Sequence, residues 1–129
     1  VIYLSLVDAL NLGHLVTGLD IETLCSVSRL ELLDSALHAP QAGFGDEEFY
    51  PDIFQKAAVL CSRIAHNHPL PDGNKRLAWV SLVMFCDRNG YELHVDKAQA
   101  VACIVELAAG NVTEEELADW IRLRIKEFR

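Results

Sequence analysis

A chain of 129 residues with a formal net charge of −8 is sized for one hydrophobic core, and its acidity argues against direct binding to a phosphate backbone, which needs clustered Lys and Arg. A hydrophobic fraction of 51% with 23% charged residues excludes a disordered chain. The longest uncharged apolar run, Leu77 to Cys86, is well short of the roughly 20 residues that cross a membrane. We therefore expect one domain over residues 1–129, with no membrane association. No secretory signal pattern opens the chain, which begins at Val1.

Apolar residues recur at helical spacing almost throughout, so the expected fold class is all-α. The first helix is predicted from Tyr3 to Thr17, stopped by Gly18. A second is predicted from Arg29 to His38, with Ser28 as N-cap and Pro40 as stop. From Ala39 to Tyr50 glycines and a proline interrupt the pattern, which predicts a loop or short hairpin. A helix with Pro51 in its first turn then presents Ile53, Phe54, Ala57, Ala58, Leu60, Cys61 and Ile64 as an apolar stripe and ends near Asn67. The run Leu77 to Cys86 is apolar nearly all round and predicts a buried central helix closed by Gly90. Asp96 with Gln99 and Thr113 with Glu116 resemble capping boxes that start two more helices, the first ending at Gly110. Leu117, Trp120, Ile121 and Ile125 are the expected buried edge of the last.

Four cysteines, Cys25, Cys61, Cys86 and Cys103, are widely spaced without a Cys-x-x-Cys pair. This predicts reduced thiols in a cytoplasm. Trp79 and Trp120 are expected in the core. His14, His38 and His94 are expected at the surface or at helix ends, and His66 at the end of its helix. The acidic runs Asp46 to Glu48 and Glu114 to Glu116 read as solvated faces.

The chemistry concentrates between His68 and Arg76, in His68-Pro69-Leu70-Pro71-Asp72-Gly73-Asn74-Lys75-Arg76, at the entrance to the central helix. Free N–H groups at a helix start attract anions, and glycine lets a ligand approach the main chain. Gly73 and Asn74 fit that role, while Lys75 and Arg76 supply charge for a polyphosphate. Asp72 offers the hard oxygen that Mg²⁺ prefers, and His68 is the residue type whose imidazole can accept a hydroxyl proton and later release it, as a general base must. The same residues also describe an inert helix start, and physical chemistry alone leaves both readings open.

The spacing His-x-x-x-Asp-Gly-Asn-Lys-Arg resembles the Fic-family motif His-x-Phe-x-(Asp/Glu)-(Gly/Ala)-Asn-(Gly/Lys)-Arg. Leu70 departs from the usual Phe and is expected to anchor the loop with looser packing. Lys75 resembles the death-on-curing branch, since AMP-transferring members carry glycine there. The resemblance extends over most of the chain and implies a compact helical domain of about six helices with a short flap. It implies the toxin of a type II toxin-antitoxin pair in a bacterial cytoplasm. The implied activity uses ATP and Mg²⁺ to transfer the terminal phosphoryl group to a hydroxyl of a translation elongation factor, halting translation. In that reading His68, Asp72 and Arg76 are catalytic, Asp72 also holds the metal, and Gly73, Asn74, Lys75 and Arg76 bind phosphates. Phe44, Phe49 and Tyr50 lie in the flap that meets the target. No Ser or Thr is followed at the required spacing by the Glu of the inhibitory helix that many Fic proteins carry, so the implied restraint is a separate antitoxin with a helical tail. Two alternatives stay open: an AMP transferase using the same residues, and a non-catalytic interaction module.

Overall fold

The computed structural model describes residues 1–128. Its first helix, α1 (Leu6–Thr17), starts later than Tyr3 because Ser5 and Asp8 close a reciprocal capping box: the Ser5 Oγ accepts from the Asp8 N–H, and the Asp8 carboxylate accepts from the Ser5 N–H. A short helix not expected from the sequence follows, α2 (Ile21–Val27), capped by Asp20 and burying only Leu24. Ser28 closes α2, its N–H donating to the Leu24 carbonyl. It therefore does not cap the next helix, α3 (Leu30–His38), whose N-cap is Arg29. Pro40 then sits in a single 3₁₀ turn, Ala39–Gln41.

The predicted hairpin is present as β1 (Gly43–Phe44) paired antiparallel with β2 (Glu47–Glu48), Gly43 opposite Glu48 and Phe44 opposite Glu47. Gly43 is required sterically, since a Cβ there would lie 2.4 Å from the Glu47 carbonyl oxygen. Lys56 anchors both ends of this segment. Its side chain is buried, and Nζ donates to the Glu48 carboxylate at 2.7 Å and to the Pro40 carbonyl at 3.2 Å.

Helix α4 (Ile53–Asn67) begins after Asp52, whose Oδ1 accepts from the Phe54 and Gln55 N–H groups at 2.8 Å. Pro51 thus precedes the cap and does not occupy the first turn. Helix α5 (Asn74–Arg88) packs along α4 and buries Leu77, Ala78, Ser81, Leu82, Phe85 and Cys86. It is not buried all round as expected: Val83 is exposed, and Trp79, Val80 and Met84 are half-buried. The remaining elements are β3 (Tyr91–Leu93), α6 (Lys97–Ala108), α7 (Glu114–Arg122) and β4 (Ile125–Glu127). Both predicted capping boxes, Asp96 with Gln99 and Thr113 with Glu116, are formed.

Ile125 corrects the sequence reading. It belongs to β4, opposite Leu93 of β3, and not to the last helix, which ends at Arg122. The pairing also sets Glu92 across from Lys126, an opposite-charge pair that favours this register.

One core joins α1, α3, α4, α5, α6 and α7, with Leu33, Ile64, Leu77, Leu82, Phe85, Leu107, Leu117 and Ile121 fully buried. The all-α expectation holds, with two small two-stranded sheets among the described residues. Trp79 and Trp120 meet edge to face, 6.2 Å between ring centres, at the margin of that core. Cys61 and Cys86 are buried, Cys103 is half-buried, and Cys25 lies on the exposed side of α2; all four are free thiols. Among the described residues no helix is long and apolar enough to cross a membrane.

Candidate active site

The six-residue connection between α4 and α5 carries His68, Asp72 and Gly73, and its shape is held from both ends. His68 closes α4 in the left-handed conformation, φ 48° and ψ 56°. Among the described residues no other non-glycine has a positive φ. That conformation costs a non-glycine residue about 1 kcal/mol or more, so the surroundings must impose it. Two residues on, Leu70 is 3% exposed and joins the core cluster, so Leu retains the anchoring role expected where Phe is usual. Asn74 closes the loop, its Oδ1 accepting from the Leu70 N–H and its Nδ2 donating to the Leu70 carbonyl, both at 2.8 Å.

Gly73 is the N-cap of α5, at φ 85°. A Cβ there would be strained by the backbone and would stand 3.2 Å from the Thr17 methyl. Having no side chain, Gly73 leaves the first-turn N–H groups of α5 without a side-chain acceptor. Helices α1, α2, α4, α6 and α7 all have one. An uncapped helix start facing exposed side chains is an anion site in waiting. His68, Asp72, Gly73, Asn74, Lys75 and Arg76 line a cavity of about 350 Å³ there. His68, Asp72, Lys75 and Arg76 are exposed. The Arg76 guanidinium also donates to the Val16 carbonyl at 3.1 Å, which ties the site to the C-terminal end of α1. A donor set of N–H groups, two cations and one carboxylate suits a nucleotide polyphosphate with Mg²⁺ held mainly through phosphates and water.

The family model described as Fic/DOC family matches residues 5–86, from the cap of α1 to the last turn of α5, and so spans the whole loop. The chain belongs to the Fic/Doc family. It is 38% identical over 94 residues to Toxin Doc of Mycolicibacterium smegmatis, an alignment covering 73% of this chain and 69% of that protein. Fic/Doc proteins are in general transferases that modify other proteins, and a cavity that joins a histidine to an uncapped helix start is consistent with that class.

The flap aromatics make their own contacts. Phe44 at 83% exposure and Phe49 at 58% exposure project from the hairpin region, whereas Tyr50 is half-buried and its hydroxyl accepts from the Arg63 guanidinium at 3.1 Å. Phe49 and Tyr50 line a different cavity of about 520 Å³ against α7, and none of the three flap aromatics lines the cavity at His68. His66 is likewise committed elsewhere. Its Nε2–H donates to the Leu107 carbonyl at 2.9 Å, which leaves Nδ1 to accept from the Ser62 hydroxyl at 3.2 Å.

Sequence reasoning missed Arg29. Its N–H donates to the Pro69 carbonyl at 2.8 Å, and its guanidinium donates to the His68 carbonyl at 2.6 Å. Asn67 was also missed, and its Nδ2 donates to the Leu32 carbonyl at 3.0 Å. Both contacts cross more than thirty residues of chain, and no local pattern announces them.

Proposed function

We propose that residues 1–129 act as one Fic/Doc domain, a bacterial cytoplasmic toxin that transfers the terminal phosphoryl group of ATP to a hydroxyl of a translation elongation factor. The observation that carries this reading is the cavity in which His68 shares walls with the uncapped start of α5 and with Lys75 and Arg76. His68 takes the proton of the target hydroxyl as its oxygen attacks the terminal phosphorus. The bond from that phosphorus to the bridging oxygen breaks, ADP leaves, and the imidazolium returns its proton to solvent. The first-turn N–H groups of α5, with Gly73 permitting close approach and Asn74 fixing the loop, receive phosphate oxygens. Lys75 and Arg76 oppose the charge that spreads over the transferred group. Asp72 would hold Mg²⁺, which when bound neutralises phosphate charge.

Lys75 supports phosphoryl over AMP transfer. It is an exposed cation in the first turn of α5, where a glycine would leave more room for the phosphate chain. The free edge of the β1–β2 hairpin supports strand-like pairing with a target segment beside Phe44, Phe49 and Tyr50. The largely apolar groove of about 400 Å³ between α1, α5 and α6, which shares Lys75 and Arg76 with the site, supports docking of a cognate antitoxin through a helical tail.

ATP labelled separately at its α and γ phosphates, incubated with the chain, Mg²⁺ and bacterial lysate, tests the reading. Label passing from γ to one protein, and lost in His68→Ala, is the expected result. Label from α assigns AMP transfer instead. No label from either position, with a purified elongation factor present, leaves a non-catalytic interaction module.

A further inference from the structure

We infer that Arg29 is a positioning residue for His68, a role that rests on the reading of His68 as the base. The peptide groups on either side of Pro69 lead out of the turn at His68, the first of them fixing ψ of His68, and both of their carbonyls end on Arg29. The Pro69 carbonyl accepts from the Arg29 N–H at 2.8 Å, and the His68 carbonyl accepts from its guanidinium at 2.6 Å. Arg29 is also the N-cap of α3, a helix without a side-chain cap. The loop carbonyls and the start of α3 therefore satisfy one another: the helix gains acceptors at its positive end, and the loop gains a charge-assisted donor.

The chain around His68 explains why such a donor matters. Asn67 is tied to the Leu32 carbonyl, Leu70 is buried, and the two residues between them must reverse direction. They do so through the left-handed conformation of His68, the one positive φ carried by a side chain among the described residues. If the His68–Pro69 peptide were free to turn, ψ of His68 would no longer be held at 56°, the strained left-handed pair of angles would relax towards negative φ, and the Cα–Cβ direction would turn away from the cavity shared with Asp72 and Asn74. The guanidinium bond opposes that rotation. Arg29 does not line the cavity itself, so it acts through His68 and not on a ligand.

The test compares wild type with Arg29→Met, which keeps the stem without the donors, and Arg29→Lys, which keeps the charge without the fork. Two readouts are taken: the strong intraresidue amide-to-Hα NOE that positive φ produces at His68, and steady-state transfer kinetics. In Arg29→Met the NOE should weaken and kcat fall roughly 10- to 100-fold, as expected of a misplaced reacting group. The KM for ATP should stay within about twofold, because phosphate contacts are untouched. Arg29→Lys should fall between. An undiminished NOE in folded Arg29→Met overturns the inference whatever the rate, and a weakened NOE with wild-type kcat overturns it as well. If the wild-type chain transfers nothing, the proposed reaction fails, and the NOE alone still decides whether Arg29 holds His68.

Discussion

The side-chain amide of Asn74 forms a closed ring with the main chain of Leu70, donating to its carbonyl and accepting from its N–H at the same distance of 2.8 Å. A residue at the first position of α5 thereby fixes a loop residue four positions earlier, and the buried Leu70 side chain fixes it from the other side. Asn74→Ala removes both bonds and leaves two main-chain groups to find water, at a cost of about 1–2 kcal/mol. Asn74→Asp keeps the acceptor but sets a carboxylate against the Leu70 carbonyl, and should be no better. Denaturant unfolding gives the cost, and faster hydrogen exchange at the Leu70 amide locates it. Unchanged exchange in Asn74→Ala would show that the ring contributes nothing to loop rigidity.

Gly73→Ala combines a strained φ of 85° with a Cβ placed 3.2 Å from the Thr17 methyl. We expect a loss of about 1–2 kcal/mol, most of it from the backbone. Adding Thr17→Ser removes the methyl while keeping the hydroxyl that donates to the Gly13 carbonyl. The double variant should therefore recover only a minor part of the loss in thermal unfolding. Full recovery would assign the cost to the clash.

Lys56→Met replaces a buried cation by an isosteric apolar chain. Its partner Glu48 has a side chain that is 53% exposed, so the carboxylate is rehydrated and not stranded. The global cost should be only about 1 kcal/mol. The local effect should be larger, since the same ammonium bridges the start and end of the hairpin segment. The Phe49 amide, which donates to the Ala42 carbonyl at 3.0 Å, should lose protection from exchange, whereas amides in α5 should keep theirs.

Asp8 links the start of α1 to the end of α5 through two bonds from Arg88, at 2.6 and 3.0 Å. Those bonds outweigh the opposing effect of burial and, with Ser5, hold the carboxyl at about 2, below its ordinary 3.8. A lowered folded-state pKa contributes stability above the unfolded value. That stability is complete above about pH 4 and is lost as the pH falls towards 2. Allowing for solvent screening at a pair that is partly exposed, the contribution is about 1–2 kcal/mol. Asp8→Asn should lower the melting temperature at pH 7 and flatten the acid limb of the stability curve below pH 4. An acid limb identical to wild type would dissociate the pair from acid unfolding.

Contiguous signals were the most legible, although the boxes at Ser5 and Asp52 went unread and Ser28 was given to the wrong helix. The stretch from His68 to Arg76 keeps its chemistry within nine consecutive residues, and the boxes at Asp96 and Thr113 are each four residues long. A short element that buries little was passed over: α2 carries Ile21, Leu24, Cys25 and Val27 but buries Leu24 alone, and its cap Asp20, whose carboxylate accepts from the Thr23 N–H, went unread. Strands β3 and β4 are three residues each, too short for alternation to register, so Ile125 was drawn into the periodicity of the helix before it. Arg29 had no chance of being found, because its partners lie about forty residues away and are main-chain carbonyls that carry no residue identity.

The helix whose first turn forms the floor of the cavity is also the one that contributes Leu77, Leu82 and Phe85 to the centre of the core. Amides in the buried middle of such a segment are expected to exchange only through the largest openings of the molecule. On the proposed reading, the turn that receives phosphate is continuous with the core helix, and loss of that helix would carry the turn with it. Restraint of the proposed activity would then fall to a partner that occupies the cavity or covers its approach, the part given above to the antitoxin.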